Sequence, residues 1–154
     1  MPAYFFDSSS LVKRFANEEG TLRVINLFRR VPPTANYVAR ITFVEVCTSI
    51  ARKVRDGEIN AGSEGKTFKR IRRLFDYGVE IVDISPSLID YAADLGRKHF
   101  LRAYDAVQLA AALEISYERT DAGLSELIFV CADNSLNNAA SAEGLTVENP
   151  TKYP

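Results

Sequence analysis

Two short apolar runs constrain this chain most: AYFF at residues 3–6 and LIFVCA at residues 127–132, each followed directly by an aspartate, Asp7 and Asp133. Apolar residues at every position, rather than at every second one, predict strands buried on both faces. The stretches between such runs carry apolar residues at helical spacing, and short strands separated by helices predict a mainly parallel sheet covered on both sides. In that architecture the C-terminal ends of the strands share one rim, and ligands bind there, where the chain order reverses. Two acids far apart in sequence are therefore predicted to be neighbours at that rim.

The remaining elements follow from periodicity and punctuation. Leu11, Val12 and Phe15 predict a short helix ended near Gly20, and Leu22 to Phe28 a second one stopped by Val31-Pro32-Pro33. An extended segment near Thr34 to Val38 leads to a helix from Ile41 to Gly57. A basic amphipathic helix from Ile59 to Phe75 is predicted to pair with it as a hairpin. Val79 to Ile84 alternates as a strand, Ser85-Pro86 opens a helix running to Lys98, and the Ala-rich YDAVQLAAALEI predicts a helix buried on most sides. A short helix from Leu136 to Ala142 and a strand from Leu145 to Val147 close the reading. It comprises one domain over residues 1–150 and a loose tail at residues 151–154, with no internal repeat.

At 154 residues and 47% apolar composition the chain is large enough to bury a core, and its net charge of −1 confines any nucleic-acid contact to local patches. Two cysteines and one histidine are too few for a zinc cluster or a disulfide scaffold. With no basic leader after Met1 and no apolar run near the ~20 residues of a membrane span, the expectation is a soluble cytoplasmic protein with no membrane partner.

Two further acids are predicted to face the rim. Asp105 opens the Ala-rich helix, and Glu45 lies in the first turns of the helix containing TFVEVC. Carboxylates brought close together raise one another's pKa unless a cation is present. Mg²⁺ or Mn²⁺ suits a site of oxygen ligands without His or Cys, and a bound ion activates water against a phosphodiester. Each acid also has a purely structural reading. Asp7 and Asp105 suit helix caps, Asp133 suits a turn in DNSL, and Thr42 with Glu45 fits the capping-box pattern. Capping does not explain why two buried strands both end in Asp.

Four segments in order, FFDSSSLVKRF, ITFVEVCTSIARK, LRAYDAVQLAAAL and FVCADNSLNNAASAEGLTVENP, resemble the PIN-domain family in its VapC-type toxin branch. The resemblance implies a three-layer α/β/α sandwich with a short, mainly parallel central sheet. It also implies a Mg²⁺- or Mn²⁺-dependent endoribonuclease, dimeric and paired with a VapB-type antitoxin. The family's acids fall on Asp7, Glu45, Asp105 and Asp133, and its hydroxyl position on Ser9, which would orient a carboxylate. Two positions depart from the pattern: Ser135 stands where many relatives carry a further acid, and Gln108 where many carry His.

Arg14, Arg40 and Arg102 each lie near an acid in sequence and are candidates for holding RNA phosphates. The run Lys66, Lys69, Arg70, Arg72 and Arg73 reads as the solvated face of a helix. Apolar surplus between Leu22 and Phe75 is a candidate surface for a second copy or an antitoxin helix. Two other functions compete with the nuclease: a silent PIN-like module that binds RNA or protein, and a phosphatase using Asp7 as nucleophile. DSSS lacks the second acid that such phosphatases place two residues after the first.

Overall fold

The structure, a computed structural model, describes residues 2–153; Met1 and Pro154 lie outside the described residues. Five strands form one wholly parallel sheet: β1 (Ala3–Phe6), β2 (Ala35–Ala39), β3 (Glu80–Val82), β4 (Leu127–Val130) and β5 (Thr146–Glu148), in the spatial order β3-β2-β1-β4-β5. The chain works outward from β1 through β2 to β3, then returns to the other side of β1 for β4 and β5. The order therefore reverses between β1 and β4, which pair in register from Ala3 with Leu127 to Phe6 with Val130.

The β1 side chains explain why this strand is central. Ala3 and Phe5 enter one core, Tyr4 and Phe6 the other, and all four are buried. Full burial of an aromatic ring contributes ~1.5–3 kcal/mol, so a strand that is apolar on both faces is stable only between two helical layers. One layer holds α1 (Ser8–Leu11), α2 (Thr21–Phe28), α3 (Thr42–Arg55) and α4 (Glu64–Tyr77), which supply Leu11, Leu27, Ile50 and Ile71. The other holds α5 (Pro86–His99), α6 (Ala103–Asp121) and α7 (Asn134–Ala142), with Leu88, Leu109 and Leu136. This is the expected three-layer α/β/α sandwich. Among the described residues no helix is long and apolar enough to cross a membrane.

Several boundaries differ from the sequence reading for local reasons. The first helix is only four residues long and tightens into a 3₁₀ turn at Val12–Arg14. Asn60 caps a 3₁₀ turn at Ala61–Ser63, so α4 starts at Glu64 rather than near Ile59. Residues 151–153, expected to belong to a loose tail, pack on α2 together with Pro150. Pro150–Lys152 forms a 3₁₀ turn whose backbone approaches Gly20 so closely that a Cβ there would lie 3.0 Å from the Pro150 carbonyl. Arg23 pairs with Glu148 at 2.6 Å and stacks 4.3 Å over Tyr153.

The α5–α6 junction holds the one non-glycine residue with positive φ among those described. Phe100 caps α5 at φ 56° and ψ 40°, with its ring 95% exposed. Left-handed backbone costs an L-residue ~1–2 kcal/mol, and helix ends favour glycine there. Phe100→Gly loses little buried surface, so it is expected to raise stability by about 0.5–1 kcal/mol, a few degrees in melting temperature. A melting temperature at or below wild type would contradict this account of the junction.

Candidate active site at the sheet rim

Asp7 follows the last residue of β1, and its backbone N–H donates to the Val130 carbonyl at the end of β4. It is 2% exposed. The carboxylate accepts the Ser10 N–H at 3.0 Å, capping α1, and the Ser9 hydroxyl at 2.8 Å. The Ser9 Oγ also accepts the Ala132 N–H at 2.9 Å, and the Ser10 hydroxyl donates to Val130 O at 2.6 Å. These serines thus tie the exits of β1 and β4 together. Burial pushes the Asp7 carboxyl up from 3.8 to about 6, against the lowering effect of the Ser9 and Ser10 hydrogen bonds.

On the β4 side, the Asp133 carboxylate caps α7 by accepting the Leu136 N–H at 3.0 Å. Between the two aspartates lies Cys131, whose Sγ accepts the Asp133 N–H at 3.3 Å. Burial, and then the negative charge of Asp7, push its thiol far up, so it remains a protonated thiol rather than a thiolate ligand or nucleophile.

The helical acids complete the rim. Glu45, in the first turn of α3, accepts the Gln108 side-chain N–H at 2.6 Å, and a further hydrogen bond from Ser8 reaches it. Gln108 Nε2 also donates to Thr42 Oγ1 at 2.7 Å, while its Oε1 is buried without a partner among the described residues. Burial raises the Glu45 pKa, and the charge of Asp105 adds to the rise. Asp105 is raised by burial and then by Asp133, with Arg102 opposing. Glu45, Asp105 and Asp133 thus form a chain of mutually repelling carboxylates. Among the described residues, no three His, Cys, Asp or Glu side chains are gathered closely enough, as they stand, to hold a metal ion.

One of the four structural readings is realised as made: Asp7 is an N-cap, while Asp133, expected in a turn, caps α7 instead. The caps of α3 and α6 are Ile41 and Arg102, neither with a side-chain bond, so Glu45 and Asp105 have no capping role. The candidate arginines separate too. Arg102 stays beside Asp105, Arg40 at the end of β2 is engaged by Asp83, and Arg14 lies away from the acids.

The PIN-domain family model matches residues 4–118. The chain belongs to the PIN-domain family. Among curated relatives, Ribonuclease VapC45 of Mycobacterium tuberculosis (strain CDC 1551 / Oshkosh) is 29% identical over 147 residues, covering 96% of this chain and 95% of the relative. Among solved structures, PAE2754 from Pyrobaculum aerophilum superposes with a TM-score of 0.60 at 16% identity, over 96% of this chain and 92% of that one. A toxin-antitoxin complex from Klebsiella pneumoniae gives 0.57 at 19% identity, over 96% and 98%. These structural likenesses bear on the fold.

Within this PIN domain the sequence reading missed three supports of the site. Ser8 and Gln108 hold Glu45, and Cys131 packs beneath the two aspartates. The departure at Gln108 lies at the rim of the site, as an amide donor aimed at an acid. Ser135 is exposed in the first turn of α7.

Proposed function

We propose that this chain is a VapC-type endoribonuclease, acting as a single domain over residues 1–150. It hydrolyses phosphodiester bonds of single-stranded or loop RNA and is paired with a VapB-type antitoxin. One observation carries this reading. Asp7 and Asp133 leave the two adjacent strands at which the chain order reverses, and Glu45 and Asp105 sit on helix starts coupled by charge to that place. The name of the Mycobacterium tuberculosis relative supports the RNA substrate, and the Klebsiella pneumoniae complex supports the antitoxin.

Asp7, Glu45, Asp105 and Asp133 are an all-oxygen donor set whose chemistry suits Mg²⁺ or Mn²⁺, though three of them must draw closer than they stand to share one ion, and Asp7 is a buried carboxylate with no cationic side chain paired to it among the described residues. A bound divalent ion supplies an activated water and neutralises charge on the phosphoryl group. The chain's own residues do the rest. Ser9 and the Ser10 N–H fix the Asp7 carboxylate, leaving the Ser9 hydroxyl committed and unavailable as a nucleophile. Glu45, oriented by Gln108 and made more basic by burial, is placed as a carboxylate to take a proton from the attacking water. Arg102 is placed to hold a phosphate, whereas Arg40 must first leave Asp83. His99 is held by Glu143 at 2.6 Å and takes no part.

A homodimer belongs to the same proposal. Its support includes an apolar cleft on α5 and α6 lined by Ile89, Ala93, Gly96 and Val107, with Ile89 and Tyr91 exposed, along with the exposed Leu22, Val31 and Val44 in the stretch between Leu22 and Phe75. Sedimentation equilibrium decides it, and a monomer at every concentration removes the dimer.

The nuclease reading is tested with purified protein on a mixed RNA pool. Cleavage is expected with Mg²⁺ or Mn²⁺, to stop on chelation and to return when either ion is restored. Ion binding is also expected to raise the melting temperature of the folded protein. Cleavage that survives complete chelation would sink the metal-dependent mechanism.

A further inference from the structure

Arg14 follows Asp7 by seven residues, yet the 3₁₀ turn after α1 carries it to the opposite end of the sheet. It lines a cleft with Thr34 and Asn36, at the N-terminal end of β2, and with Gly78 just before β3. Arg29 and Arg30 line the same cleft from the end of α2. Arg70 and Arg73 of α4 line an adjoining cleft that shares Arg14, Leu74 and Gly78 with the first. The two clefts measure ≈ 360 and ≈ 440 Å³ respectively and together form one groove.

Among the described residues, none of these five arginines has a carboxylate within 4.0 Å. Their neighbours are aromatic rings instead. Arg14 lies 4.4 Å over Phe28, Arg30 5.3 Å over Tyr4 and Arg70 5.6 Å over Phe15. Rings orient a guanidinium without neutralising it. Burial, then the charges of Arg70 and Arg29, push the Arg14 pKa down, which marks net repulsion within the cluster. On a chain of net charge −1, this is a concentrated positive surface without internal compensation.

We propose that this arginine groove is a second contact site for the phosphate backbone of the RNA substrate, remote from the acid rim. The inference rests on the ribonuclease reading. Guanidinium forks match phosphate oxygens bidentately. Tyr77, 86% exposed, lines the cleft of Arg70 and Arg73 and offers a face on which a base can stack. Cations interleaved with an exposed aromatic suit a single-stranded nucleic acid better than an acidic peptide. A strand of four residues separates the two sites by roughly 13 Å or more at ~3.3 Å per residue, so a dinucleotide, at ~3.4 Å per stacked step, cannot engage both.

The test compares wild type with the double variant Arg70→Gln/Arg73→Gln, both exposed positions on α4. Each protein is given an RNA of about 30 nucleotides and a dinucleotide spanning the wild-type cleavage point, roughly one stacked step long. The expected result is a KM for the long RNA raised about tenfold, with kcat and short-fragment cleavage unchanged. The slope of log affinity against log salt should become shallower by about 1.4 for two lost phosphate contacts. Arg29→Gln/Arg30→Gln repeats the measurement from α2 and guards against a local folding defect. Unchanged KM and salt slope in both double variants overturn the proposal. So does loss of polyglutamate binding with RNA affinity intact, which assigns the groove to an acidic protein segment. If wild type neither cuts nor binds either RNA, the ribonuclease reading fails and this inference falls with it. Wild-type cleavage with unaffected variants removes the groove alone.

Discussion

Asp7→Asn is expected to abolish RNA cleavage, by at least ~100-fold, while making the metal-free protein more stable at pH 8. Both effects have one cause, a carboxylate buried to 2% exposure and, among the described residues, beside no cationic group. Burial raises its pKa from 3.8 to about 6 in the folded protein. A carboxyl whose folded value lies above its unfolded value stabilises fully below the unfolded value, and that stability is lost as pH rises through the folded one. At pH 8 the ionised group therefore costs on the order of 2–3 kcal/mol relative to pH 3. Asparagine retains the oxygen that accepts the Ser10 N–H and caps a helix about as well, but carries no charge. Melting curves in chelator should show the variant close to wild type near pH 4 and ahead of it by several degrees at pH 8. A variant that is less stable at pH 8, or curves that run parallel across pH, would falsify this account of Asp7.

The placement of Asp7 was legible because an apolar run ending in Asp leaves the chain few options. AYFF and LIFV are buried on both faces only inside a covered parallel sheet, so the residues after them had to emerge at one rim. α6 was legible for a similar reason. Ala106, Ala110, Ala111 and Ala112 are small enough to sit against both α5 and the sheet. Arg14 was misplaced because closeness in sequence to Asp7 suggested closeness in space. Four helical residues and a 3₁₀ turn are enough to carry the chain from one end of β1 to the other. The T-x-x-E pattern at Thr42 was misleading in a different way. Its hydroxyl and its glutamate both bond to Gln108, a residue that lies 63 positions beyond Glu45 and reaches α3 only through packing. No local pattern signals such a contact. The arginine groove was hidden too, since Arg70 and Arg73 read as one charged helix face until Arg14, Arg29 and Arg30 are placed against them.

Gln108→Glu is the substitution expected to harm the fold most for the smallest change in shape. Gln108 is fully buried, its Nε2 lies 2.6 Å from a Glu45 oxygen, and its Oε1 has no partner to welcome a negative charge. A second carboxylate there repels Glu45 and is itself desolvated, and an uncompensated buried charge costs about 3–5 kcal/mol. That is a large fraction of the ~5–15 kcal/mol holding a domain of this size together. Protonation changes the result, because a neutral carboxylic acid at position 108 can donate its O–H to Glu45 in place of the amide. The new group's folded pKa is raised by burial, so its penalty is absent at low pH and grows as pH rises through that value. The variant should therefore melt near wild type at about pH 4 and on the order of 10 °C below it at pH 8. Gln108→Leu separates charge from lost bonding, since it removes the donor to Glu45 without adding a carboxylate and should show a deficit with little pH dependence. A Gln108→Glu deficit that is equally flat from pH 4 to pH 8 would mean that Glu45 and residue 108 do not share a proton. Glu45 would then be free of the contact that, in the proposed mechanism, aims it at the attacking water.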